Sequence, residues 1–249
     1  MLVDHPQGGY RFLPGIDPYS CGVVAAPQHQ IVRALLARTL PWQEGLARAE
    51  THLLAAGRPR SALCGVELRS PAPFTMAGFV AYNAAYCRLL RSWGLYVGDA
   101  NPVARTNVAP ADDPPREVVL HAFSYTTPEP TEGATFVVAG AGELCDGVLD
   151  AERILQPGRT DAGSMRQKAS YVMQVMEARL RDLGGAWEEV STVDVYTVHL
   201  LEGLLEEVVL PRLGIAGRHG VRWHRARPPV VDIEFEMDLR GVRRQIVVD

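Results

Sequence analysis

The sequence predicts an α+β protein made of two successive units, each a mixed β-sheet with two helices on one face. Three observations carry that reading. The same program is written twice: a strand, a helix closed by glycine, a strand, a helix and two more strands. A local match underlies the repeat, since Leu54-Ala55-Ala56-Gly57 followed by Val66-Glu67-Leu68 lies without a gap over Asp182-Leu183-Gly184 followed by Val193-Asp194-Val195. Self-similarity at so long a period marks duplication of a folding unit. Finally, residues 231–238 alternate, with Val231, Ile233, Phe235 and Met237 on one side and Asp232, Glu234, Glu236 and Asp238 on the other. A strand packed on helices by one face has that pattern.

The elements follow in order. Residues 1–29, rich in Gly, Pro and short polar side chains, read as an extended lead-in. A strand is expected over 30–39. A helix starts near Pro41, where proline is tolerated in a first turn. Trp42, Leu46, Ala49 and Leu53 recur on one helical face, Gly57 is the stop and Pro59 follows it. A strand over 63–69 leads to a second helix over 75–93, with Phe79, Tyr86, Leu90 and Trp93 inward. A strand pair, 103–109 and 117–125, flanks a Pro- and Asp-rich turn and closes the first unit. The PEPTEGA segment at 128–134 reads as a linker, which sets the units at 1–130 and 131–249.

In the second unit a strand over 136–140 runs into the turn-like Ala139-Gly140-Ala141-Gly142-Glu143. A long loop leads to a helix over 161–183, whose stripe of Met165, Ala169, Val172, Met176, Leu180 and Leu183 is of core type. A strand over 190–198, a helix over 200–213 and strands near 221–225 and 230–238 complete the chain.

Bulk properties exclude several functions. The net charge of −4 comes with no basic block, which argues against nucleic acid and membrane surfaces as partners. The N-terminus lacks a charged-then-apolar leader, and no apolar run is long enough for a bilayer. Cys21, Cys64, Cys87 and Cys145 have no CxxC spacing, so reduced thiols and a cytoplasmic protein are expected. The histidines show no metal-ligand spacing. GxSxG, P-loop and GxGxxG motifs are absent, and no helix follows Ala-Gly-Ala-Gly promptly enough to hold a phosphate.

The most informative stretch is 101–125. Arg105 and Asn107 share one face of a strand, where they can converge on a single ligand. A guanidinium fork suits a carboxylate, and an amide suits the polar atoms beside it. The same spacing fits a solvated sheet face. Asn83 falls on an apolar helix face between Phe79 and Tyr86; it either satisfies a backbone group or lines a site, because a buried amide left unbonded costs about 1–3 kcal/mol. Asp232, Glu234, Glu236 and Asp238 must face water, cations or a polar partner such as another copy of the chain.

Taken together, Pro18-Tyr19-Ser20, the LLAAG helix end, Tyr82-Asn83-Ala-Ala-Tyr86, Ala104-Arg105-Thr-Asn107, the helix ending at Gly184, the VDVY strand and Val231-Asp232-Ile233-Glu234 resemble the Rid family. These are reactive intermediate deaminases of the YjgF type. The resemblance spans nearly the whole chain and implies two fused chorismate-mutase-like units, assembled as a homotrimer with clefts between units. It implies metal-independent hydrolysis of a small carboxylated enamine or imine to the 2-hydroxy or 2-oxo acid and ammonia, with no cofactor. A duplicated branch of that kind is associated with 2-aminomuconate-type substrates. By the same resemblance Arg105 holds the substrate carboxylate, while Tyr19, Asn83 and Asn107 are cleft residues. Asn107 stands where many members have Cys.

The second half departs from the pattern. Gly220 falls where its Arg is expected and Arg222 lies two residues on, offering a second cation. For the proton carrier, Glu143 after the Gly-rich turn comes first and His121 second, although a solvated Glu and a structural strand His fit equally. The alternatives are a chorismatase-like hydrolase and a non-catalytic metabolite-binding module.

Overall fold

The computed structural model describes residues 1–201 and 203–249. It contains four α-helices and two mixed sheets among those residues, in keeping with the α+β expectation. Three of the four lie where hydrophobic periodicity and glycine stops place them. Helix α1, Trp42–Ala55, follows Pro41 and buries Trp42, Leu46, Ala49 and Leu53. Helix α2, Met76–Ser92, is capped by Thr75, whose hydroxyl accepts from the Gly78 N–H. Helix α3, Ala162–Asp182, is capped by Asp161, which accepts from the Ser164 N–H. It ends ahead of Gly184, which takes the left-handed conformation that glycine adopts at least cost (φ 77°). The expected helix over 200–213 is broken up instead: a π-helical turn, Leu205–Val209, precedes the four-residue α4, Leu210–Leu213. Pro211 lacks the N–H that a regular ladder requires.

Strands β4 (Gln30–Pro41), β5 (Leu63–Arg69), β6 (Ala104–Pro110) and β7 (Val119–Thr127) form the centre of a six-stranded sheet in the order β6-β5-β7-β4. Strands β8 (Phe136–Gly142), β9 (Thr192–Tyr196), β10 (Arg222–His224) and β12 (Glu236–Gly241) lie in a seven-stranded sheet in the order β10-β9-β12-β8, with β10 at its edge. The two orders are the same in chain sequence, and both pair the equivalent strands in parallel, β5 with β6 and β9 with β10. Strands β6 and β7 are not paired with each other, as the sequence suggested; β5 lies between them, antiparallel to β7.

Each sheet is extended by strands from the other end of the chain. The N-terminal residues are no mere lead-in: β1 (Val3–His5), β2 (Tyr10–Leu13) and β3 (Gly22–Ala25) join the seven-stranded sheet through β8. Their burial explains it, since Tyr10, Phe12, Val23 and Val24 are core residues hidden in a Gly- and Pro-rich context. Conversely β11 (Ala226–Arg227) pairs with β6, and β13 (Arg244–Val248) runs parallel to β4 at the edge of the six-stranded sheet.

The helices cover the outer faces, with Met165, Val172, Met176 and Leu180 packed on one sheet and Leu46, Leu53, Tyr86 and Leu90 on the other. The inner faces meet through a buried polar layer. Arg33 grips Glu67 with two bonds of 2.6 and 2.7 Å. Arg240 reaches Glu67 at 3.2 Å, Asp238 at 3.1 Å and also Asp194. Thr106 and Tyr196 both donate to Asp238 at 2.9 Å. Buried ion pairs add little net stability, but breaking one is costly, so they fix one register of sheet on sheet.

The acidic alternation was only half a strand. Asp232 adopts φ 71° and breaks the run, Val231 is exposed, and β12 begins at Glu236. Glu236 and Asp238 are buried rather than solvated, facing cations supplied within the molecule.

Candidate active site

A cavity lies where the edge of β6 meets β8 and the start of β12. Its walls include Tyr19, Phe79, Arg105, Asn107, Arg179 and Glu236. Arg105 is 3% exposed, and its Nη2 donates to Asn83 Oδ1 at 2.8 Å. Its guanidinium lies over the rings of Tyr19 and Tyr86, both at 4.8 Å, and of Phe79 at 5.5 Å. This aromatic cage holds a cation without neutralising it. Arg105 Nη1 and Asn107 Nδ2 are buried with no hydrogen-bond partner within the described protein. Asn107 is oriented by the Ser70 hydroxyl, which donates to its Oδ1 at 2.9 Å, so its amide N–H groups are left over. Unbonded buried donors of this kind cost about 1–3 kcal/mol each, a cost that a bound anion removes.

Glu236 brings a carboxyl group to the same cavity. Burial pushes its pKa up from 4.5 to about 8, helped by the negative charge of Glu143 and opposed by Arg105 and Arg179. It is therefore a protonated acid at neutral pH, in a cavity that already holds two guanidinium groups. Arg179 projects from α3 and donates to the carbonyls of Ala139 and Gly140 at 3.0 and 3.4 Å. Burial also raises the Tyr19 hydroxyl pKa, which keeps it a neutral donor.

Room for the Glu236 carboxyl depends on Gly140. A Cβ built at Gly140 would fall 2.4 Å from Glu236 Oε1, with Thr106 Cγ2 next at 3.1 Å. The carboxyl is the end of a flexible side chain and would yield first. Gly140→Ala is thus expected to leave the melting temperature nearly unchanged while lowering turnover by about 10²-fold, the effect of a misplacement near 1 Å. Thermal unfolding read beside steady-state rates checks it; equal losses in both would make Gly140 a packing residue only.

The structure brings Tyr19, Asn83, Arg105 and Asn107 together, with Asn83 behind Arg105 as its partner. It places the other three candidates elsewhere. Glu143 is fully buried outside the cavity lining: its Oε1 accepts from Lys168 Nζ at 3.0 Å and from the Glu234 N–H at 2.6 Å, and its Oε2 from the Phe235 N–H at 3.1 Å. It replaces a sheet partner for the segment leading into Glu236. His121 lies on the inner sheet face, where burial and the nearby Arg69 lower its pKa to about 4. Arg222 is exposed on the edge strand β10.

The sequence reading missed Glu236, Arg179 and Gly140 as site residues. Glu236 was hidden among four regularly spaced acids, of which it alone lines the cavity. Arg179 borders the Met-rich stripe of α3, and a cation at the margin of a core stripe was the available signal.

Known proteins resemble this chain along its length. The family model for the 2-aminomuconate deaminase CnbZ matches residues 2–246. A 2-amino-5-chloromuconate deaminase from Comamonas testosteroni is 39% identical over 244 residues, which cover 97% of this chain and 96% of that protein. Among solved structures, a chorismatase aligns with a TM-score of 0.50 at 13% identity, covering 96% of this chain and 78% of the other, a likeness of fold.

Proposed function

The chain belongs to the 2-aminomuconate deaminase CnbZ family, and on that premise we propose that it hydrolyses a 2-aminomuconate-type dicarboxylate to the 2-oxo acid, or its 2-hydroxy tautomer, and ammonia. The observation that carries this reading is the convergence of the buried Glu236 carboxyl with the caged Arg105 in one cavity. Arg105 and Asn107 take the carboxylate beside the amino-bearing carbon through a charge-assisted, two-point contact. Glu236 gives its proton to the enamine carbon next to C2, which leaves a C2=N iminium. Water adds to C2 and returns a proton to Glu236. The same carboxyl then protonates nitrogen and takes the hydroxyl proton, so that C2–N breaks, a carbonyl forms and ammonia leaves. One water is consumed, and Glu236 ends as it began.

Each half is proposed to be a Rid-type unit, which the recurrence of the β6-β5-β7-β4 order as β10-β9-β12-β8 supports. The cavity then lies between units of one chain. The function is tested with freshly generated 2-aminomuconate: ammonia should appear faster than by spontaneous decay, one per substrate. Ammonia at the background rate, with pyruvate released from chorismate instead, would replace this reading by the chorismatase-like one.

A further inference from the structure

The chain just ahead of Glu236 is held by a side chain where a neighbouring strand runs out. Glu236 pairs with Gly142, the last residue of β8. Before it the ladder stops, and Asp232 turns the backbone into the left-handed region. The N–H groups of Glu234 and Phe235 are met instead by Glu143, one residue past the end of β8. Its two oxygens accept one each, at 2.6 and 3.1 Å. One carboxylate thus continues the ladder for two residues.

Glu143 is itself fixed. Lys168 reaches it from α3 with a bond of 3.0 Å, and both side chains are fully buried. Lys168 stands with Met165, Ala169 and Val172 on a helix face that otherwise belongs to the core. A buried ion pair is commonly no more stabilising than apolar side chains of like volume. Its presence among methionines is explained by what it holds. The charges around Glu236 come from four elements: Glu143 acts on it most strongly, followed by Arg105 of β6, Arg179 of α3 and Arg69 of β5. Tyr19 faces it as a neutral hydroxyl. Burial raises the Glu143 pKa, against the Glu234 N–H and Lys168, which favour its anion.

We propose that Glu143, anchored by Lys168, is the positioning residue for Glu236. It aims the Glu236 carboxyl into the cavity by holding the two residues before it. Its negative charge, sustained by Lys168, helps Glu236 keep its proton. Glu143 touches no substrate. The inference rests on the role given to Glu236 above.

The test reads the Glu236 carboxyl directly, by NMR of isotope-labelled glutamate in the full chain titrated with pH. The spectrum of Glu236→Gln identifies its signal. Two variants remove the Glu143 charge. Glu143→Gln leaves Lys168 buried without its partner; Glu143→Gln combined with Lys168→Met removes both charges, so a folding failure in the first leaves the second. In each the Glu236 titration should fall by about one pH unit or more. The alkaline limb of the ammonia-release profile should move down with it. Met165→Leu, a packing change one turn away on α3, should leave both in place. An unmoved Glu236 titration in a folded variant, or an equal shift in Met165→Leu, would overturn the proposal. A shift in the variants, with no ammonia released from 2-aminomuconate by wild type, supports the positioning of Glu236 and fails the deaminase reading alone.

Discussion

Replacing Glu236 with Gln is expected to lower kcat by about 10²- to 10⁴-fold, the span for loss of a positioned proton carrier, with KM little changed. Glutamine keeps the shape and a hydrogen-bonding end but carries no transferable proton. The pH profile gives a second readout. The group acts first as an acid and has a pKa of about 8, so wild-type activity should persist at neutral pH and fall as pH rises through about 8. The variant should lack that limb. Stability should fall in the same direction, over a window that opens at lower pH. The folded carboxyl holds its proton from the ordinary 4.5 up to about 8, whereas the unfolded one releases it near 4.5. The folded state therefore binds more protons in this window, and wild-type stability must decline as pH rises across it. Glu236→Gln should flatten that decline, so melting curves at pH 6 and pH 9 should converge for the variant. Wild-type turnover in the variant would remove Glu236 from the mechanism.

Arg105→Ala is expected to cut kcat/KM by about 10²- to 10³-fold, mostly through KM, since truncating one partner of a buried charged contact costs about 2–5 kcal/mol. Arg105→Lys should recover little. An ammonium cannot bond Asn83 and a carboxylate in one plane, nor does it stack on Tyr19 and Tyr86 as a guanidinium does. Ammonia release measured over a range of substrate concentrations separates KM from kcat. Retention of wild-type kcat/KM in Arg105→Ala would move the anchor elsewhere, with Arg179 the next candidate.

The helices were legible because their signals are local. Trp42, Leu46, Ala49 and Leu53 recur at helical spacing, and Gly57 and Gly184 mark ends by backbone chemistry. Arg105 and Asn107 were legible because two residues on one strand face must point together. Partnership across the fold was not. Nothing near Gly22-Val23-Val24-Ala25 says that it pairs with β8 more than a hundred residues on, or that Arg244–Val248 pairs with β4. The surroundings of Glu143 were hidden for the same reason. Glu143 follows a Gly-rich turn, a plausible address for a catalytic acid, yet Lys168 and two backbone N–H groups occupy its oxygens. Glu236 enters the cavity because Asp232 ends the alternation before it, an interruption that depends on tertiary contacts around residues 230–235.

The trading of outer strands between the sheets bears on synthesis. A ribosome making this chain releases β4, α1, β5, α2, β6 and β7 first, but the edge beside β4 stays unpaired until Arg244–Val248 emerges some two hundred residues later. Over that interval the nascent product exposes a sheet margin able to pair with a stranger, which is the usual start of aggregation. Arg244–Val248 thus acts as a latch on the half made first, and a break in that strand would disturb a part of the molecule built some two hundred codons earlier.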